Sequence, residues 1–151
     1  MTIKSNNDVN TNQFYLGIDF GIKKIGFAIG QLITKKASPL TIILNKSKKI
    51  NLEEIDKIIQ DWDVKVIILG YPYYNEASPF TKKLDNFFNQ LHEKYKSKIK
   101  IIKFSEELST EISKEAYRDL RRNNISKKKE ELDDISASII LQSWFNENMI
   151  N

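Results

Sequence analysis

The 151-residue chain contains no cysteine and only one histidine, His92. Disulfides, thiolate nucleophiles and Cys-ligated zinc are thereby excluded, and imidazole chemistry has a single candidate group. Glycine occurs five times and proline three, so each marks a position where the backbone needs something specific. No apolar run approaches the roughly 20 residues of a membrane helix, and the opening MTIKSNNDVNTN lacks the apolar core of a signal peptide. A cytoplasmic protein without a membrane segment is expected. Neither sign of charge dominates: 24 basic residues against 20 acidic ones leave +4, a mixed surface that permits nucleic-acid contact without requiring it. Any chemistry must use carboxylates, hydroxyls, amines or a cofactor.

What is present suffices for one domain. Forty per cent of the residues are apolar, enough at this length to bury a substantial core. Residues 1–13 read as a frayed polar lead and 14–148 as a single domain. FYLGIDF and IGFAIGQL, joined by GIKK, form a hairpin pattern, and ASPLTIILN adds a third strand on which Pro39 is tolerable near the start or on an edge. NLEEIDKIIQDW has helical spacing with Asn51 as cap. VKVIILGYP is a nearly continuous apolar run, as expected of a strand buried on both faces and placed at the sheet centre beside the first strand. SPFTKKLDNFFNQLHEKY is a helix with Ser78 as cap and Pro79 at its first position. KIKIIKF is a short strand, and helices are expected over 109–124 and 131–148. The order β-β-β-α-β-α-β-α-α predicts an α/β protein: a five-stranded mixed sheet with helices on both faces.

In such a sheet the C-terminal ends of the parallel strands share an edge where sites are usually built. Asp19 ends the first strand and Glu106 follows the last. Asp133 stands in line with Ala137, Ile140 and Trp144 on the final helix, while its neighbour Asp134 aligns equally with Ser138, Leu141 and Phe145. Spacing does not choose between the two. Carboxylates about 4 Å apart repel by roughly 4 kcal/mol at an effective dielectric of about 20, so a cluster of them calls for a cation. Oxygen ligands without His or Cys select Mg²⁺ or Mn²⁺, ions that can activate water for phosphodiester hydrolysis. Gly17 and Gly21 flank Asp19, a pattern that lets backbone approach a ligand closely. Arg118, Arg121 and Arg122, with Lys127 to Lys129, form a basic stretch suited to phosphate contact. His92, on a helix, reads as a surface residue.

Four segments together resemble the YqgF/RuvX family of bacterial proteins, described as candidate pre-16S rRNA nucleases and formerly as candidate Holliday junction resolvases. GIDFGIKKIGFAIG resembles the family's D-x-G-x-K-R-I-G-x-A, ILGYP its V-G-L-P, SEELST its D-E-R-L-[ST]-[ST], and LDDISASIILQ its V-D-x-x-A-A-x-x-I-L-Q. The resemblance spans about Phe14 to Phe145. It implies an RNase H-like fold and a metal-dependent nuclease acting in maturation of the pre-16S rRNA 5′ end. Asp19, Glu106 and Asp133 would be the catalytic, metal-holding acids, and Lys23 and Lys24 would contact phosphate. It favours Asp133 over Asp134, because Leu141 and Gln142 follow Asp133 at the family's separations. Ser105-Glu106-Glu107 replaces the usual D-E-R, losing an acid and an arginine. Pre-rRNA is the favoured partner over branched DNA, with the chain as monomer or homodimer. A junction resolvase-like DNA nuclease and a nucleic-acid-binding factor with little turnover are the alternatives.

Overall fold

The computed structural model describes residues 12–47, 49–72, 78–105 and 129–148, the last stretch with its side chains from Ile135 onward. Strands β1 (Phe14–Asp19), β2 (Lys24–Gln31) and β3 (Lys36–Leu44) form an antiparallel meander. Helix α1 (Leu52–Trp62) leads into β4 (Val64–Tyr71), α2 (Pro79–Tyr95) precedes β5 (Lys100–Ser105), and α3 (Lys129–Asn148) follows. The sheet order is β3-β2-β1-β4-β5, with β4 parallel to both β1 and β5. The apolar run of β4 does lie beside β1, but the middle strand is β1 itself, because the meander places two strands on its other side. The helix expected over 109–124 lies outside the described residues.

Side-chain alternation sends each strand's residues into two cores. On one face Leu16, Ile18, Ile67 and Leu69 meet Ile55 and Ile59 of α1 and Leu84, Phe87 and Leu91 of α2. On the other, Tyr15, Val66, Ile68 and Phe104 meet Ala137, Ile140, Leu141 and Phe145 of α3. Trp144 is only partly buried there. Local chemistry sets the helix starts. The Asn51 side chain accepts from the Glu54 N–H at 3.1 Å. Ser78 Oγ accepts from the Thr81 N–H at 3.2 Å while Thr81 Oγ1 accepts from the Ser78 N–H at 2.7 Å, a reciprocal cap with Pro79 just inside it. Helices α1 and α2 are tied by the Tyr95 hydroxyl, which donates to Asp56 Oδ1 at 2.6 Å. Burial, and then the Asp56 carboxylate, raise the Tyr95 phenol above its ordinary value. No helix among the described residues is long and apolar enough to cross a membrane.

Two contacts fix the elements around the end of β1. A Cβ at Gly17 would stand 2.8 Å from Leu141 Cβ and 3.0 Å from the Ala137 carbonyl, so glycine is what lets α3 lie directly on the strand. Gly21 sits where a Cβ would collide with the Lys24 carbonyl, which keeps the β1–β2 turn tight. These two glycines therefore serve a helix and a turn as well as flanking Asp19. Asn45, just past β3, holds the same turn. Its Nδ2 donates to the Gly21 and Ile22 carbonyls at 3.2 and 3.0 Å, and its N–H donates to the Lys23 carbonyl at 2.8 Å.

Gly17→Ala forces α3 off the sheet and is expected to cost about 1–3 kcal/mol, read as a lower urea midpoint; an unchanged midpoint would show that the helix is not seated by this contact. Asn45→Ala removes two bonds worth about 0.5–1.5 kcal/mol each. Amide exchange at Ile22, Lys23 and Lys24 should accelerate while that of α2 does not, and equal protection in both would remove Asn45 from its holding role.

Candidate active site

Because β1, β4 and β5 are parallel, their C-terminal ends come to one edge of the sheet. Ile18 pairs with Leu69 and Leu69 with Lys103, so the last residues of β1 and β5 end within about one residue of the same level. Their backbones are two strand spacings apart, about 9.5 Å. Asp19 is the final residue of β1 and Ser105 that of β5. Glu106, next in sequence, lies outside the described residues.

Asp19 is half-buried and lines an open pocket of about 260 Å³ together with Phe20, Gly21, Lys23, Lys24 and Gly26. Gly26 is the residue paired with Asp19 across the β1–β2 ladder, so the directly opposite position on β2 brings no side chain over the acid. A hard oxygen donor and two ammonium groups therefore share one concave surface, on a turn braced by Asn45. That combination suits a phosphate group: the lysines attract its charge, and the carboxylate requires a cation between itself and the anion.

The final helix brings a further acidic position toward this edge. Phe145 packs on Tyr15 with ring centroids 5.5 Å apart, and Ala137 and Leu141 lie over Gly17, so α3 runs antiparallel to β1. From Ala137 back to residue 133 the helix advances about 6 Å, and from Gly17 to Asp19 the strand advances about 7 Å in the same direction. The helical backbone at Asp133 is thus carried to the end of β1 that bears Asp19. The side chains of Asp133 and Asp134, like Arg118, Arg121 and Arg122, lie outside the described residues. Among the described residues no three acidic or histidine side chains form a metal-binding group. His92 is exposed on α2, stacked on Phe88.

Two functional supports escaped sequence reasoning. Asn45 carried no signal beyond a polar residue ending an apolar strand. Gln142, noted only as a motif position, accepts from the Ala37 N–H at 2.9 Å and donates to the Lys35 carbonyl at 2.9 Å, pinning α3 to edge strand β3.

Known proteins resemble both the sequence and this architecture. The model of the RuvX family, described as Holliday junction resolvase, matches residues 13–147. A Buchnera aphidicola (subsp. Baizongia pistaciae) protein, provisionally named a pre-16S rRNA nuclease, is 37% identical over 139 residues, covering 86% of this chain and 94% of its own length. A Haemophilus ducreyi protein of the same provisional name is 33% identical over 139 residues, covering 88% and 96%. Among solved structures, T. thermophilus RuvC in complex with a Holliday junction substrate has a TM-score of 0.59 at 11% identity, over 91% of this chain and 96% of its own. The fowlpox virus Holliday junction resolvase has a TM-score of 0.56 at 20% identity, over 89% and 99%. The structural likeness establishes the RNase H-like fold. With a family model spanning nearly the whole chain, and relatives above 30% identity along most of it, the chain belongs to the RuvX family.

Proposed function

We propose that this protein is a divalent-metal-dependent nuclease that hydrolyses phosphodiester bonds of precursor 16S rRNA. The observation that carries the reading is Asp19 at the end of the middle strand, sharing an uncovered pocket with Lys23 and Lys24. The pre-rRNA assignment is supported by the provisional names of relatives 33–37% identical to the chain. Asp19, Glu106 and Asp133 would hold Mg²⁺ or Mn²⁺: carboxylate oxygens are hard donors, the chain lacks cysteine, and its one histidine lies in the last turn of α2, which leads to the start of β5. Bound there, the cation supplies a water of lowered pKa and stabilises the leaving oxygen.

The remaining work falls to the chain itself. Lys23 and Lys24 draw the scissile phosphate into the pocket and orient it. Gly26 leaves the space above Asp19 for that phosphate. Arg118, Arg121 and Arg122 would add positive charge for phosphate contact. A second reading, cutting of four-way DNA, is favoured by the family's description as a Holliday junction resolvase. It requires a homodimer to present two sites, whereas trimming an rRNA end needs a monomer's single site.

The test is cleavage of a labelled pre-16S-like RNA and a labelled four-way DNA junction in Mg²⁺, Mn²⁺ or EDTA. The wild type is expected to cut the RNA only with metal. Asp19→Asn should reduce cutting by at least about a hundredfold, the loss of roughly 2.7 kcal/mol of transition-state stabilisation, with an unchanged melting temperature. A fully active Asp19→Asn variant would remove the assignment of this acid, and cutting confined to the junction would move the substrate to DNA.

A further inference from the structure

We propose that a second cavity, on the other side of the β1–β2 turn, holds one nucleotide of the strand that is cut at Asp19. The inference rests on the nuclease reading above and extends the substrate site onto the face covered by α1 and α2. The turn separates two concave surfaces. Asp19, Gly21 and Lys23 line the first, whereas Ile22 lines the second and Phe20 borders both. The second has a volume of about 390 Å³, within the roughly 300–1,000 Å³ typical of small-ligand sites.

Its chemistry is that of a nucleotide pocket. Phe20, Ile22, Ile50 and Leu52 supply apolar wall against which a base can lie. Around them stand Lys49 from the β3–α1 connection and Lys83 from α2, with the amides of Asn45, Asn86 and Gln90. None of the described lining residues is acidic. Lys65, Lys94 and Lys96 each have a carboxylate partner, but neither Lys49 nor Lys83 is in an ion pair with a described residue. Asn45 Oδ1 is buried and has no hydrogen-bond partner among the described residues, because both carbonyl contacts of this side chain use Nδ2. Two lysines without an ion pair among the described residues, the exposed Asn86 and Gln90 amides, which can both donate and accept, and an apolar wall complement a phosphate, a base edge and a base face. A strand occupying the Asp19 pocket needs only to pass Phe20 to reach them.

The test is fluorescence anisotropy of a labelled single-stranded RNA 12-mer in EDTA, followed by cleavage kinetics in Mg²⁺. Lys49→Gln/Lys83→Gln is expected to weaken binding about tenfold and to lower the salt slope by about 1.4, for two phosphate contacts at about 0.7 each on single strands. KM should rise correspondingly, with kcat changed less than about twofold. Asn86→Ala/Gln90→Ala, which changes no charge, should weaken binding about threefold with the salt slope unaltered. Lys98→Gln, just before β5 at the opposite edge of the sheet, is the control. These lysine and amide side chains are exposed, and equal melting temperatures confirm that the variants are folded.

The proposal is overturned if the lysine pair behaves like Lys98→Gln, if the amide pair binds like wild type, or if a free mononucleotide competes as tightly as the 12-mer. Wild-type protein that cuts RNA while ignoring the lysine pair would overturn the subsite alone. Wild-type protein that binds the 12-mer but cuts nothing, with the variants losing binding as described, would overturn the nuclease reading and keep the subsite.

Discussion

The absence of one methyl group at Gly17 governs the arrangement of everything on the α3 face. With Leu141 and the Ala137 carbonyl already in contact distance of where a Cβ would be, α3 rests on the backbone of β1 at Gly17, beside its contacts with the Tyr15 ring. From that seating the helix reaches sideways: Gln142 meets Ala37 and Lys35 at the β3 edge, and Phe145 lies over Gly30, the next place where a Cβ would intrude. A helix held at two points along its length by glycines and at its flank by an amide has little freedom to slide. Its N-terminal backbone is consequently carried to the end of β1 that bears Asp19.

Charge is organised locally rather than globally. A net +4 over 151 residues would steer nucleic acid only weakly. At the sheet edge, however, Lys23 and Lys24 share a pocket with Asp19, and Lys49 and Lys83 stand across the turn. An anionic strand reaching this edge would therefore meet positive charge on both sides of the β1–β2 turn. Asp19 would repel the same strand, so the lysines also offset the acid until a cation does so.

Much of this was legible in the sequence, and the remainder was hidden for definite reasons. The hairpin, both helix caps and the buried run of β4 are local: alternation, Asn51 and Ser78-Pro79 declare themselves within a few residues. Asp19, Lys23 and Lys24 were legible as a group because a single turn brings them together. The identity of the middle strand was not, since an apolar run reports burial on both faces and does not report how many neighbours lie beyond. The packing role of Gly17 was hidden for a similar reason, its partner being a helix more than a hundred residues later in the chain. Asn45 was silent because an asparagine after a strand is ordinary until the turn it holds is seen to line the Asp19 pocket. The choice of Asp133 over Asp134 came from family spacing alone, and neither side chain lies within the described residues.

The β1–β2 turn joins these threads, because it is short and braced from both sides. Gly21 removes the side chain that would open it, and Asn45 commits both hydrogens of its amide to it. Alternation then assigns its residues outward to two surfaces, Asp19 and Lys23 to one and Ile22 to the other, with Phe20 between them. A displacement of the turn would move both surfaces at once, and a site held on a rigid element keeps its geometry better than one on a free loop. Bracing also explains the orphaned Asn45 Oδ1. Using Nδ2 for both carbonyls orients the amide and leaves Oδ1 buried without a partner among the described residues.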